Sequence, residues 1–126
     1  MKIINPWGIP KGYSNGILAE GKTLFIAGQI GWNENEKLVS SDLVLQTKQA
    51  LSNVITILNE AGGKPENLAR LTWYVVDKKE YLANQREIGK VYREILGSHY
   101  PAMSLIEVKS LLEDGAKIEI EGTAVL

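Results

Sequence analysis

The alternation of apolar and polar positions is sharpest near the end of the chain, in Lys117–Val125. Lys117, Glu119, Glu121 and Thr123 fall on one face of an extended segment, and Ile118, Ile120, Gly122 and Ala124 on the other, because successive strand side chains point in opposite directions. Another aliphatic run, Met103–Val108, precedes it, with the turn signal Glu113-Asp114-Gly115 between the two, so the pattern predicts a hairpin. Upstream, Ile17–Ala19 and Thr23–Ala27 read as short strands joined by a tight turn at Glu20-Gly21. Leu71–Val76 is apolar or aromatic on both alternating faces, as in a strand buried on two sides.

Helical spacing appears twice. Leu43, Thr47, Ala50, Leu51, Val54, Leu58 and Ala61 form one stripe, opened by the capping residues Ser40-Ser41-Asp42 and stopped by Gly62-Gly63 with Pro65 beyond. Asp77 with Glu80 forms a capping box, and Tyr81, Ile88, Val91, Tyr92 and Ile95 make a second stripe that ends at Gly97. Residues 5–16, with two prolines and three glycines, form an irregular segment. The order is strand, strand, helix, strand, helix, strand, strand. It predicts an α+β fold, a mixed, mostly antiparallel sheet with two helices packed on one face. No repeat or linker divides residues 1–126, which form a single domain.

Two helices cover one face of a sheet only. Leu24–Ala27 and Leu71–Val76 are apolar on both faces, so the uncovered face predicts a partner, and a second copy of the chain is the simplest one.

Charge and composition narrow the functions. Fourteen basic and fifteen acidic residues leave a formal charge of −1, too little to attract phosphate backbones or anionic lipid, so no nucleic-acid or membrane partner is expected. With no cysteine, thiol catalysis and thiolate metal sites are excluded, and His99, the single histidine, has no companion with which to build a metal site. His99 reads as a surface residue. Prolines and glycines interrupt the first ten residues before any long apolar core, unlike a signal peptide, and a cytoplasmic location is expected.

Candidate chemistry centres on Glu119. One reading leaves Glu119 and Glu121 on a solvated sheet face; the other covers that face with a second subunit and holds a carboxylate there for acid–base work. Gly28 and Gly31 allow close approach of a backbone, either to a ligand or within a bulge. Trp32 beside them reads as the floor of an apolar pocket or as interface packing. Glu107 shares a strand face with Met103 and reads as one half of an ion pair.

Several separated segments occur in a familiar order. They are Gly12-Tyr13-Ser14, Leu24–Gly31, Gln49–Asn53, Val91-Tyr92, Pro101-Ala102 and the ending Ile118-Glu119-Ile120-Glu121. Together they resemble the reactive-intermediate deaminase family, also called Rid, YjgF-like or L-PSP proteins, over nearly the whole chain. The resemblance implies a chorismate-mutase-like fold, a homotrimer with clefts between subunits, no metal or organic cofactor, and hydrolysis of small enamines or imines to a keto acid and ammonia. By the same resemblance Tyr13 and Glu119 are the catalytic candidates, and Gly89 and Met103 stand at positions that line the substrate site; Ser14, Gly31 and Trp32 are substrate-binding candidates beside them.

Two positions depart from the family pattern. Met103 stands where an arginine grips the substrate carboxylate, and Gly89 stands where an asparagine is usual. A thioether offers neither charge nor donors. The expectation is therefore a divergent deaminase acting on a small molecule whose carboxylate is absent or held by another residue. The alternative is a non-catalytic binding or regulatory trimer that uses the same cleft. RNA cleavage finds no support in the neutral charge.

Overall fold

Asp42 starts the first helix as the spacing predicts: its carboxylate accepts from the Leu45 amide at 3.0 Å, closing the first turn of α1 (Leu43–Glu60). Gly62, at φ +84°, takes the left-handed conformation that ends the helix, and its amide returns to the Asn59 carbonyl. The computed structural model describes residues 1–126. Its other elements are β1 (Lys2–Ile4), β2 (Gly16–Leu18), β3 (Thr23–Gln29), β4 (Leu68–Val75), α2 (Lys78–Ala83), α3 (Gln85–Leu96), β5 (Ala102–Glu107) and β6 (Ile118–Val125).

The predicted second helix is two. Asp77 caps α2 through the Glu80 amide, but the chain breaks at Asn84, whose side-chain amide donates to the Glu80 carbonyl at 2.8 Å. Asparagine competes in this way with the helical backbone, and α3 restarts after it.

The four-stranded sheet runs β3-β6-β4-β5, with β6 antiparallel to both neighbours and β4 parallel to β5. Two predicted hairpins are therefore absent. β5 and β6 do not pair; they flank β4, which inserts between them. Burial explains the choice: Leu71, Trp73 and Val75 of β4 and Ile118, Ile120 and Ala124 of β6 are buried and need neighbours on both sides. Ser104–Glu107 of β5 is exposed and takes an edge. Likewise β2 pairs with β1, which the pattern missed, while β3 pairs with β6, so Glu20-Gly21 is a crossing rather than a hairpin turn. Gly21, at φ +143°, lies against the Leu126 carbonyl, where a Cβ has no room.

α1 and α3 pack on the inner sheet face over these buried rows. The outer face carries Phe25, Arg70, Thr72, Tyr74, Ile106, Glu119, Glu121 and Thr123, paired by register. It is more polar than expected. Leu71–Val76 alternates after all, with Thr72 and Tyr74 outward, yet Phe25 is 80% exposed and Ile106 44%.

Candidate active site

A cavity of about 810 Å³ opens beside the β5 edge on the helix side of the sheet. Its loop wall is Ile9–Tyr13, held by Ser14: the hydroxyl donates to the Tyr100 carbonyl at 2.5 Å, and the amide donates to the Pro101 carbonyl at 3.0 Å. Ser14 is buried and fastens Tyr13 against β5. The strand wall is Trp73 with Met103, Ser104 and Leu105. The helix wall follows one stripe of α3, Gln85, Ile88, Gly89, Tyr92 and Arg93, at the three- and four-residue spacings that share a helix face.

Aromatic rings run across the floor. Trp73 and Tyr92 stack with centroids 6.3 Å apart, and Tyr92 and Tyr100 at 5.1 Å with planes 7° apart. The Tyr92 hydroxyl donates to the His99 carbonyl at 2.6 Å, and burial pushes its pKa strongly upward. Burial also raises Tyr81. These phenols are neutral walls. The Trp73 indole N–H is buried with no hydrogen-bond partner.

Glu119 lies elsewhere, on the outer face of β6. The β3 register shift between Ile26 and Gln29 brings Gly28 beneath its carboxylate, and a Cβ at Gly28 would collide with it. Within the chain Glu119 makes no hydrogen bond or ion pair, whereas Glu121 accepts from the Tyr74 hydroxyl at 2.8 Å. That bond, with desolvation and the Glu121 and Glu119 charges, raises the Tyr74 pKa.

The structure thus brings Tyr13, Gly89 and Met103 to one cavity, with Ser14 behind the loop, and puts Glu119 on the other side of the sheet. Gly31 and Trp32 do not reach that cavity. Gly31 is buried against α1, where a Cβ would meet the Gln46 backbone, and the Trp32 carbonyl accepts from Asn53 at 2.9 Å. Two smaller expectations change. His99 is half-buried, with Nε2 at 2.7 Å from the Leu68 carbonyl, rather than a free surface residue. Glu107 makes no ion pair; its carboxylate accepts from the Lys78 amide at 2.6 Å, at the start of α2.

Sequence reasoning missed Gln46, Trp73 and Arg93. Gln46 is fully buried, donates to the Ser40 and Gly115 carbonyls and accepts from the Lys117 amide two residues before Glu119, so it fixes the entry to β6. A polar residue inside an apolar helical stripe was the available signal for it. No group of three or more histidine, aspartate or glutamate side chains is placed to hold a metal ion. No helix is long and apolar enough to cross a membrane.

Comparison with known proteins gives the class. Residues 8–126 match the family described as Endoribonuclease L-PSP. The chain is 35% identical over 105 residues to a RutC family protein of Pasteurella multocida, covering 83% of this chain and 81% of the relative. It is 32% identical over 114 residues to the 2-iminobutanoate/2-iminopropanoate deaminase of Homo sapiens, covering 90% and 79%. It is also 33% identical over 115 residues to the mitochondrial protein mmf1 of Schizosaccharomyces pombe, covering 90% and 67%. Among solved structures, Rid-family YyfB of Yersinia pestis superposes with a TM-score of 0.88 at 38% identity over 99% of this chain and 98% of that one. The chain belongs to the Rid/YjgF-like, L-PSP family, with that family's α+β fold.

Proposed function

We propose that the protein is a divergent imine or enamine deaminase whose working site is completed between copies of the chain. The family includes proteins named as imine deaminases, which supports a deaminase-like role. One observation carries the finer reading: Glu119 has no partner within its own chain and sits on the sheet face where Phe25 is also left bare. A second copy laid on that face takes the carboxylate out of bulk water and sets it against the neighbour's cavity. In a closed ring of three, Glu119 of one subunit faces the Tyr13–Met103 cavity of its neighbour.

The chemistry needs one proton carrier. Water attacks the iminium carbon while Glu119 takes a proton from it, giving a carbinolamine. Glu119 then returns the proton to nitrogen, the carbon–nitrogen bond breaks and ammonia leaves, while the carbinolamine hydroxyl gives its proton to the freed Glu119 carboxylate as the carbonyl forms. Tyr13 steadies the developing charge by hydrogen bonding. Reactive imines also hydrolyse unaided in water, so the enzyme must share a compartment with their source; we place it in the cytoplasm, while the fission-yeast relative is named as mitochondrial.

Met103 favours one other reading, a binding trimer without turnover, since the arginine fork is gone. Ammonia release from enzymatically generated 2-aminoacrylate and from an uncharged imine separates the two. Release that disappears in Glu119→Ala, in a species sedimenting as a trimer, supports the enzyme. Ligand binding with no ammonia supports the binder, and a lone protomer sinks both.

A further inference from the structure

The cavity beside β5 has an unequal charge lining. Lys11 and Arg93 face it, and no acidic side chain does. Ion pairing does not account for this: the chain's salt bridges are Lys90 with Glu87 and Lys117 with Glu80, so neither Lys11 nor Arg93 is neutralised. Arg93 reaches back along α3 toward its N-terminus, the direction helical side chains take. Its Nη1 comes to rest 3.3 Å from where a Cβ at Gly89 would stand. Any larger residue at 89 would contest that space. The two departures from the family pattern thus sit beside an unpaired guanidinium in one cavity.

Two further observations point to a ligand. The Trp73 indole N–H, in the same lining, is buried and donates to nothing, an uncommon state for a buried donor. The remaining walls are greasy or aromatic: Ile9, Ile88, Met103, Leu105 and the stacked rings of Tyr92 and Tyr100. A charge-bearing rim over an apolar floor suits an amphipathic anion, and a planar body suits the ring stack.

We infer that Arg93 is the anion-holding residue of this protein, and that the cavity takes a monocarboxylate with a bulky apolar or aromatic body, of the 2-oxo or 2-imino acid class. The carboxylate lies in the Arg93 fork, with Lys11 adding field. The apolar body occupies the space over Met103 and the ring stack. Gly89 is the specificity device, since it leaves the guanidinium room to turn inward. The inference rests on the reading that this cavity is the substrate half of the site.

Binding alone tests it, without turnover. Phenylpyruvate is titrated into the full-length protein by calorimetry, beside phenylacetone, which lacks the carboxylate, pyruvate, which lacks the ring, and inorganic phosphate. Phenylpyruvate is expected to bind, with each of the other three at least tenfold weaker. Arg93→Gln, on an exposed helix position, should fold normally and weaken phenylpyruvate about 10- to 100-fold, the range for losing a charge-assisted hydrogen bond. The Trp73 indole resonance, assigned with Trp73→Phe, should move on titration. Adding Met103→Arg to Arg93→Gln should restore carboxylate binding in part. Unchanged affinity in Arg93→Gln, equal binding of phenylacetone, or phosphate binding as tightly as phenylpyruvate overturns the inference. Lys90→Gln, which removes a cation of α3 outside the cavity, should leave phenylpyruvate binding intact; an equal loss there overturns the assignment to Arg93. Intact Arg93-dependent binding with no ammonia release defeats the proposed activity alone.

Discussion

The two faces of the β4–β6 sheet hold opposite chemistry. On the helix side, beside β5, the cavity gathers stacked aromatic rings, two unpaired cations and no carboxylate. On the outer side, β6 presents Glu119 and Glu121 over Thr72 and Tyr74. Sheet geometry enforces the separation. Side chains of one strand alternate between faces, so residues reading from opposite faces cannot converge within one chain however close they are in sequence. In the proposed site, a cavity that recognises and a carboxylate that moves protons are brought together only across an edge supplied by another copy.

The largest effect should come from the outer face. Glu119→Gln removes the proposed proton carrier while keeping size and hydrogen-bonding capacity, and ammonia release should fall by about 10²- to 10⁴-fold. The melting temperature should barely move, since Glu119 has no partner within the chain to lose. Steady-state ammonia assays with a thermal melt check both halves. A loss of less than tenfold would show that the two faces do not cooperate in chemistry.

Next comes Gln46, which ties α1 to the start of β6. Gln46→Leu leaves the Lys117 amide and the Ser40 and Gly115 carbonyls without their side-chain partner in a buried place, at a cost of about 1–3 kcal/mol. Chemical denaturation measures the loss. Turnover should fall as well, because β6 carries Glu119, whereas the cavity beside β5 keeps its walls. An intact β6 with full activity in a destabilised protein would mean that Gln46 supports the fold alone.

A milder substitution separates the faces more finely. Gly28→Ala puts a methyl group where the Glu119 carboxylate rests. The carboxylate is the free end of a flexible side chain, so it swings aside and the fold tolerates the change. The catalytic rate should drop by about tenfold, in line with a misplaced reacting group, with phenylpyruvate affinity unchanged. Comparing kcat with Kd in the one variant decides it.

What was legible in the sequence follows from the range of each signal. Local signals held: the Asp42 cap, the α1 stripe, the alternation of β6 and a strand beginning before Leu71 all appear where the residues put them, although that strand turns Thr72 and Tyr74 outward instead of being apolar on both faces. Pairing did not, because β5 and β6 carry no mark in themselves of the strand that divides them; only the demand of β4 for neighbours on both sides decides it. The candidate cavity was half visible. Tyr13 and Met103 do share a cavity, but Arg93 reads along the chain as an ordinary basic residue in the last turn of a helix. Its meaning needed the glycine one turn earlier, at position 89, and the uncharged floor supplied by β4 and β5. Spacing alone, Gly89 and Arg93 on the same stripe as Ile88 and Tyr92, was the available hint.

The smallest effect lies in the pH response of the outer face. Tyr74 donates to Glu121, and ionising the phenol would set a second negative charge against that carboxylate, so its pKa is raised above the ordinary 10.0. The sign follows: the folded chain holds this proton more tightly than the unfolded one. The contribution is complete below pH 10.0, the unfolded value, and is lost as pH rises through the higher folded value. The stability gap between the wild type and Tyr74→Phe should therefore narrow in melts run on the alkaline side of that value. Glu121→Gln should return the Tyr74 phenolate absorbance transition toward 10.0. If it does not, the hydrogen bond is not what holds the proton, and a partner subunit covering the outer face becomes the better explanation for the shift.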